Sequence, residues 1–348
     1  MLTADVPVGI LLSGGLDSAS IAVTAARRSA PGAPVTAITT TYGGTAAGGS
    51  LSAAAATDLQ HARILAAAHP GAIRHEVITR PSAVTLDDID QATDLAAGCQ
   101  DPRHPTILGN YRAARRLGLR AVLNGQGADE TMAGYAGRPD YIAALPGPGR
   151  DLDSSALAAA RQAPLLSSAV LAHRAAAHRE LRDLCGSLPG PPLERFHRLL
   201  LRAQVPCVTR FEDYLAMRSG VEARFPYLDH RILEWCFSLP FAMHLQPGRH
   251  GKAVLRAAMR PALPPTLAAR PKQPFPHPDR SLLRESLAAL AATAWPEMRA
   301  DPLLRTLFTI PAERELPGLA PQALWNLLAT WRWHRKLQAV PGAARASR

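Results

Sequence analysis

The feature that most constrains this chain lies near its start. An apolar run, Val8-Gly9-Ile10-Leu11-Leu12, passes directly into Ser13-Gly14-Gly15-Leu16-Asp17-Ser18 and then into an Ala-rich helical segment over Ser18 to Arg27. A strand that turns straight into a helix commits the chain to an α/β unit, because the next parallel strand must be reached by a crossover. The turn also has chemistry. A helix N-terminus offers unpaired N–H groups and the positive end of a dipole. Gly14 and Gly15 let the backbone approach a pyrophosphate without Cβ clashes. The Ser13 and Ser18 hydroxyls can donate to phosphate oxygens. Asp17 repels a bare phosphate, so it is expected to hold Mg²⁺ against it. No Gly-Lys-Ser/Thr follows, so this is a different phosphate loop from the Walker type.

The segments that follow keep the alternation. Val35 to Thr41 reads as a second strand, Asp58 to Ala68 as a helix, and Ile73 to Ile78 as a third strand. Ile107 to Leu117 reads as a helix leading into a fourth strand, Ala121 to Asn124. Strands alternating with helices predict a mostly parallel, Rossmann-like sheet. This α/β core is expected over residues 1–140. A helical insertion follows over 141–200, broken at Pro146 to Gly149 and Pro189 to Pro192. A helical part over 201–340 has breaks at Pro226, Pro240 and Pro261 to Pro278, with a last amphipathic helix at Trp325 to Leu337 and a disordered tail at 341–348.

Composition narrows the class. With 47% hydrophobic and 19% charged residues, the 348-residue chain is globular. Its net charge of +11 invites an anionic partner, but no basic stripe interleaved with aromatics accompanies it, so nucleic acid is not the expected ligand. Cys99, Cys185, Cys207 and Cys236 share no CxxC spacing and read as free thiols in a reducing compartment. No run approaches the ~20 apolar residues of a membrane span. A cytoplasmic chain is expected.

Two further segments specify the type of phosphate loop. Leu123-Asn124-Gly125-Gln126-Gly127-Ala128-Asp129-Glu130, ending at Gly134-Tyr135, again follows a strand, which puts Asp129 at the carboxyl edge of the sheet beside Asp17. Then come Gly220-Val221-Glu222-Ala223-Arg224-Phe225-Pro226-Tyr227-Leu228-Asp229-His230, Gly251-Lys252-x-x-Leu255-Arg256, and Arg270-Pro271-Lys272-Gln273-Pro274-Phe275. Ser13 to Ser18 resembles the signature of N-type ATP pyrophosphatases (PP-loop, adenine nucleotide alpha hydrolase-like enzymes). The later segments, in their order, resemble the synthase domain of the asparagine synthetase family, from Ala4 to about Leu337.

The resemblance implies that ATP is cleaved between its α and β phosphates to adenylate a carboxylate, aspartate or a peptide side chain. It implies ATP and Mg²⁺ as ligands, with Asp17 and Asp129 on the metal. Leu11, Thr40, Asn124 and Gly125 are then expected near the nucleotide, alongside Ser13, Gly14, Gly15, Asp17 and Ser18. Lys272 is expected to neutralise charge developing on the phosphates, and Glu222 and Arg224 to lie near the acceptor carboxylate or shape its pocket.

Two departures bear on the nitrogen donor. Asparagine synthetases usually carry Glu at the position of Gln126, and β-lactam synthetase carries Tyr. An amide has no proton-binding pKa in the useful range, so Gln126 can only position a nucleophile. Glu130, Glu222 or the phosphate itself is then expected to take the proton. The family's glutaminase domain uses a Cys directly after the initiator Met, and residue 2 here is Leu. Nitrogen is therefore expected as free ammonia, from a partner such as a separate glutaminase, or as an amine within the substrate, unless the chain is a piece of a longer one. An amine within the substrate would make it an intramolecular cyclase of the β-lactam synthetase or lasso-peptide type. A tRNA-modifying enzyme suits the charge but not the segments after Asn124.

Overall fold

The computed structural model describes residues 1–30, 32–43, 53–93, 101–136, 165–245, 251–271 and 279–340. Five parallel strands form one sheet in the order β3-β2-β1-β4-β5: β1 (Val8–Leu11), β2 (Val35–Gly43), β3 (Ile73–Pro81), β4 (Ala121–Leu123) and β5 (Glu222–Arg224). β2 is buried along nearly its whole length, as a strand covered on both faces must be, while β3, at the edge, alternates half-buried and exposed positions over most of its length. The fold class read from the sequence is the one observed.

Between the strands run α1 (Leu16–Arg28), α2 (Ala53–Ala68), α3 (Leu86–Ala92) and α4 (His104–Arg116), and the short α5 (Ala128–Thr131) follows β4. Ile10, Leu12, Ala19, Ala22, Val23, Ala37 and Leu65 pack as one core between sheet and helices. β1 lies between β2 and β4, so the chain reverses its direction of winding there. A crevice opens outside the carboxyl ends of strands at such a point.

The helical half contains α6 (Ser168–Ser187), α7 (Pro192–Arg218), α8 (His230–Ser238), α9 (Ala253–Met259), α10 (Pro265–Ala268), α11 (Arg280–Ala300), α12 (Pro302–Leu307) and α13 (Pro321–Ala339). α11 and α13 build a second core around Leu287, Trp295, Met298, Trp325 and Trp331, and Ile89 of α3 enters it from the sheet side. The break at Pro189 to Pro192 separates α6 from α7, as expected, whereas Pro206 and Pro296 sit inside helices. No described helix is long and apolar enough to cross a membrane.

Two expectations change. β5 falls in a region read as wholly helical, because three residues are too few for a period-2 signal to emerge. α1 begins at Leu16, so Asp17 and Ser18 lie within its first turn and Gly15 is the N-cap. Pro146 to Gly149 and the tail from 341 lie outside the described residues.

Candidate active site

The phosphate loop leaves the sheet where Leu12 N–H still pairs with the Ile38 carbonyl (2.8 Å). Gly14 takes φ +70, and a Cβ there would lie 2.2 Å from the Asp58 carbonyl oxygen, so only glycine fits between the loop and α2. The Ser18 hydroxyl accepts from Ser13 N–H and lies 3.1 Å from Ser13 Oγ. The two hydroxyls thus converge at the mouth of the helix. Leu11 and Thr40 are half-buried on adjacent strands, with Thr40 Oγ1 donating to Asn110 Oδ1.

The second loop packs against the first. A Cβ on Gly125 would be 3.3 Å from both Asp17 Cβ and Ser18 N, so the two loops touch through a residue without a side chain. Asn124 Oδ1 accepts from Gln126 N–H (3.1 Å), shaping the turn that delivers Asp129 into α5.

Asp17 and Asp129 do meet, and a lysine lies between them. Lys252 Nζ donates to Asp17 Oδ2 at 2.6 Å and is 2.7 Å from Asp129 Oδ1. It is 3% exposed. Burial works against its charge, but the two carboxylates outweigh this and hold its pKa above the ordinary lysine value. Lys252 precedes α9 with φ +65, its N–H held by the Met132 carbonyl (2.9 Å). The approach is close: a Cβ on Gly134 would lie 2.0 Å from Asp129 Oδ1 and 2.5 Å from Lys252 Cε. The motif Gly251-Lys252-x-x-Leu255-Arg256 carried this residue in the sequence without assigning it a role.

The donor set suits Mg²⁺. One ammonium and two carboxylates leave one net negative charge, and Asp17 Oδ1 is buried with no hydrogen-bond partner. Among the described residues no group of three or more His, Cys, Asp or Glu side chains assembles to hold a metal. Mg²⁺ is commonly held by one or two carboxylates with the rest of its shell from phosphate and water.

Behind Gln126 lies a group that the sequence did not mark. Glu212, on α7, is 4% exposed; its Oε1 accepts from the Tyr111 hydroxyl (2.8 Å) and Asn124 Nδ2 (2.7 Å). The Gln126 side chain is close enough to favour its charged form. Burial pushes its carboxyl up to about 7, against the lowering by these hydrogen bonds. Glu130 is also buried, accepting from the Tyr135 hydroxyl (2.7 Å) and Gln204 Nε2 (2.9 Å); burial and then the neighbouring Asp129 raise its pKa.

Glu222 is not part of this cluster. Its register partner is Ala121, which pairs with Val8, so it sits at the amino end of the sheet. That is five residues, about 16 Å of extended chain, from Ser13 at the start of the phosphate loop. It is exposed and pairs with Arg224 (3.0 and 2.9 Å), whose Nη1 in turn donates to the Met1 and Thr3 carbonyls. The expectation that Glu222 acts in catalysis fails on position. Lys272 lies outside the described residues.

A strand–turn–helix phosphate loop with two carboxylates facing each other at the carboxyl edge of the sheet is what the sequence resemblance leads one to look for; the buried Lys252 between them is an addition to it. The asparagine synthase family profile matches residues 1–335, almost the full chain. The chain belongs to the asparagine synthase family.

Within that family it is distant from each relative compared. It is 26% identical over 291 residues to a glutamine-hydrolyzing asparagine synthetase of Triphysaria versicolor, and 24% identical over 287 residues to asparagine synthetase B of Escherichia coli. Each alignment covers 79% of this chain but 40% and 42% of those proteins. A shorter stretch of 71 residues is 34% identical to asparagine synthetase 3 of Bacillus subtilis, covering 20% of this chain and 11% of that one. The chain thus spans about two fifths of the length of these two relatives.

Proposed function

We propose that this chain is an ATP-dependent amide ligase that adenylates a carboxylate and transfers the acyl group to nitrogen. The observation that carries the reading is the convergence of Asp17, Asp129 and Lys252 beside the Ser13–Ser18 loop. Loop N–H groups and the Ser13 and Ser18 hydroxyls would bind the ATP phosphates, and Leu11, Thr40, Asn124 and Gly125 would border the nucleotide. Asp17 and Asp129 would hold Mg²⁺, which supplies charge neutralisation on the departing pyrophosphate. The substrate carboxylate oxygen attacks the α-phosphorus, the bond to the α–β bridging oxygen breaks, and pyrophosphate leaves. Lys252 would meet the charge that leaves with it, and the family resemblance adds Lys272.

In the second half-reaction a nitrogen attacks the adenylate carbonyl and AMP departs. Gln126 would orient the nitrogen. Glu212, joined to the Gln126 turn through Asn124 and raised by burial to about 7, is better placed than Glu130 or Glu222 to take its proton. With ammonia as nucleophile and aspartate as acceptor the product is asparagine. A second reading, amide closure within one molecule, is favoured by Gln126: a positioning amide backed by a carboxyl suits an amine tethered to its substrate.

ATP–pyrophosphate exchange, assayed with aspartate and with a panel of other carboxylates including acidic peptides, tests both. Exchange stimulated by aspartate alone, with asparagine formed from ammonia, establishes the first reading. Exchange with a peptide whose product has lost one water and gained no nitrogen establishes the second. No exchange with any carboxylate, from a chain that binds ATP, overturns the proposal.

A further inference from the structure

Arg270 is 6% exposed and stands behind the phosphate loop. Its Nη1 donates to the Gly14 carbonyl at 2.6 Å, and its Nη2 pairs with Asp58 on α2, also 6% exposed. Its own backbone is fixed in turn: Arg256 donates to the Ala268 carbonyl (2.7 Å) and to the Arg270 carbonyl (2.8 Å). A chain of buried guanidinium groups therefore runs from α9 through the segment after α10 to a single peptide of the loop.

That peptide is the Gly14–Gly15 unit. In a planar trans peptide the C=O and the following N–H point in opposite directions. A donor that captures the Gly14 carbonyl from the rear turns the Gly15 N–H to the front. In the structure Gly15 N–H faces Ser13 Oγ at 3.4 Å, on the side where the Ser13 and Ser18 hydroxyls converge. Gly14 has no side chain to restrict its torsions, so without this restraint the peptide can rotate.

We propose that Arg270 is a positioning residue for phosphate recognition: its guanidinium, anchored by Asp58, holds the Gly14–Gly15 peptide in the orientation that aims Gly15 N–H at the anion. This rests on the ATP reading above. It also ties the loop to the segment that carries Lys272, since Arg270 lies two residues before it in sequence.

The test measures binding of Mg²⁺–pyrophosphate, Mg²⁺–ATP and adenosine to the full chain by calorimetry. Removing Arg270 alone would take a buried guanidinium from the Asp58 carboxylate, so the variant is the neutral pair Arg270→Gln with Asp58→Asn, with Arg270→Lys beside it. The expected result is pyrophosphate and ATP affinity lower by about tenfold or more, as for one lost hydrogen bond to a charged group, with adenosine affinity unchanged. Arg270→Lys, one donor group for two acceptors, should fall between. Wild-type pyrophosphate affinity in the neutral pair overturns the inference, as does an equal loss of adenosine and pyrophosphate binding. A wild-type chain that binds neither ATP nor pyrophosphate overturns the ATP reading, and this inference with it.

Discussion

The Lys252 ammonium lies 2.6 Å from the Asp17 carboxylate, although 235 residues separate them. The same ammonium reaches Asp129, so one side chain from the helical half ties together the two loops at the carboxyl edge of the sheet. Replacing Lys252 with Met leaves the buried Asp129 and the half-buried Asp17 carboxylates facing one another. The expected cost is about 3–5 kcal/mol of stability, the range for breaking a buried ion pair. Mg²⁺ should raise the melting temperature of this variant more than that of the wild type, because the vacated position favours another cation. Thermal melts with and without Mg²⁺ check both statements.

Gly134 makes room for that contact. Gly134→Ala puts a methyl where Asp129 Oδ1 now lies, so the carboxylate and lysine must shift apart. A stability loss of about 1–3 kcal/mol is expected, with pyrophosphate exchange falling further than stability alone accounts for. Comparison of exchange rate with melting temperature separates the two.

Glu212 supplies a pH signature. Its folded pKa is raised to about 7 above the ordinary carboxylate value, so the folded state holds a proton that the unfolded state has lost. The associated stability is fully present below about pH 4.5 and is lost as pH rises through about 7. Glu212→Gln keeps a neutral, hydrogen-bonding side chain and should flatten that slope, measured by denaturant unfolding between pH 5 and 8. Activity should run the other way. If Glu212 takes the proton, amide formation rises with pH toward about 7 and falls by about 10²–10⁴ in the Gln variant. ATP–pyrophosphate exchange, which needs no proton acceptor on nitrogen, should be nearly unaffected.

Far from the site, Asp301 caps α12 through the Leu303 and Leu304 N–H groups (2.9 and 3.0 Å) and pairs with His334 of α13 (2.8 Å). Asp301→Ala should cost about 1–2 kcal/mol through loss of the cap, with exchange kinetics unchanged. A melting curve beside an exchange assay checks it.

Much of the α/β core was legible because its signals are local. A strand, a Gly-Gly turn and a helix start occupy adjacent residues, so Ser13 to Ser18 announced a phosphate loop and Asn124 to Asp129 announced a second loop at the same sheet edge. β5 escaped because its pairing is made by β4 about a hundred residues earlier, not by any periodicity of its own. Glu222 was misplaced for a related reason. Its motif was recognisable, but which end of the sheet it faced depended on the strand register.

The sequence by itself determined the parallel sheet and the phosphate loop, since short-range backbone preferences suffice for these, and its family resemblance put Asp129 together with Asp17. The tertiary structure decided which cation meets that pair, that Glu212 stands behind Gln126, and that Arg270 braces Gly14. Each depends on burial and charge brought together by α7, α9 and the segment after α10 packing over the carboxyl ends of the strands. A side chain's pKa and partners are set by what surrounds it in space, and for these residues the surroundings lie 86 to 256 positions away in sequence.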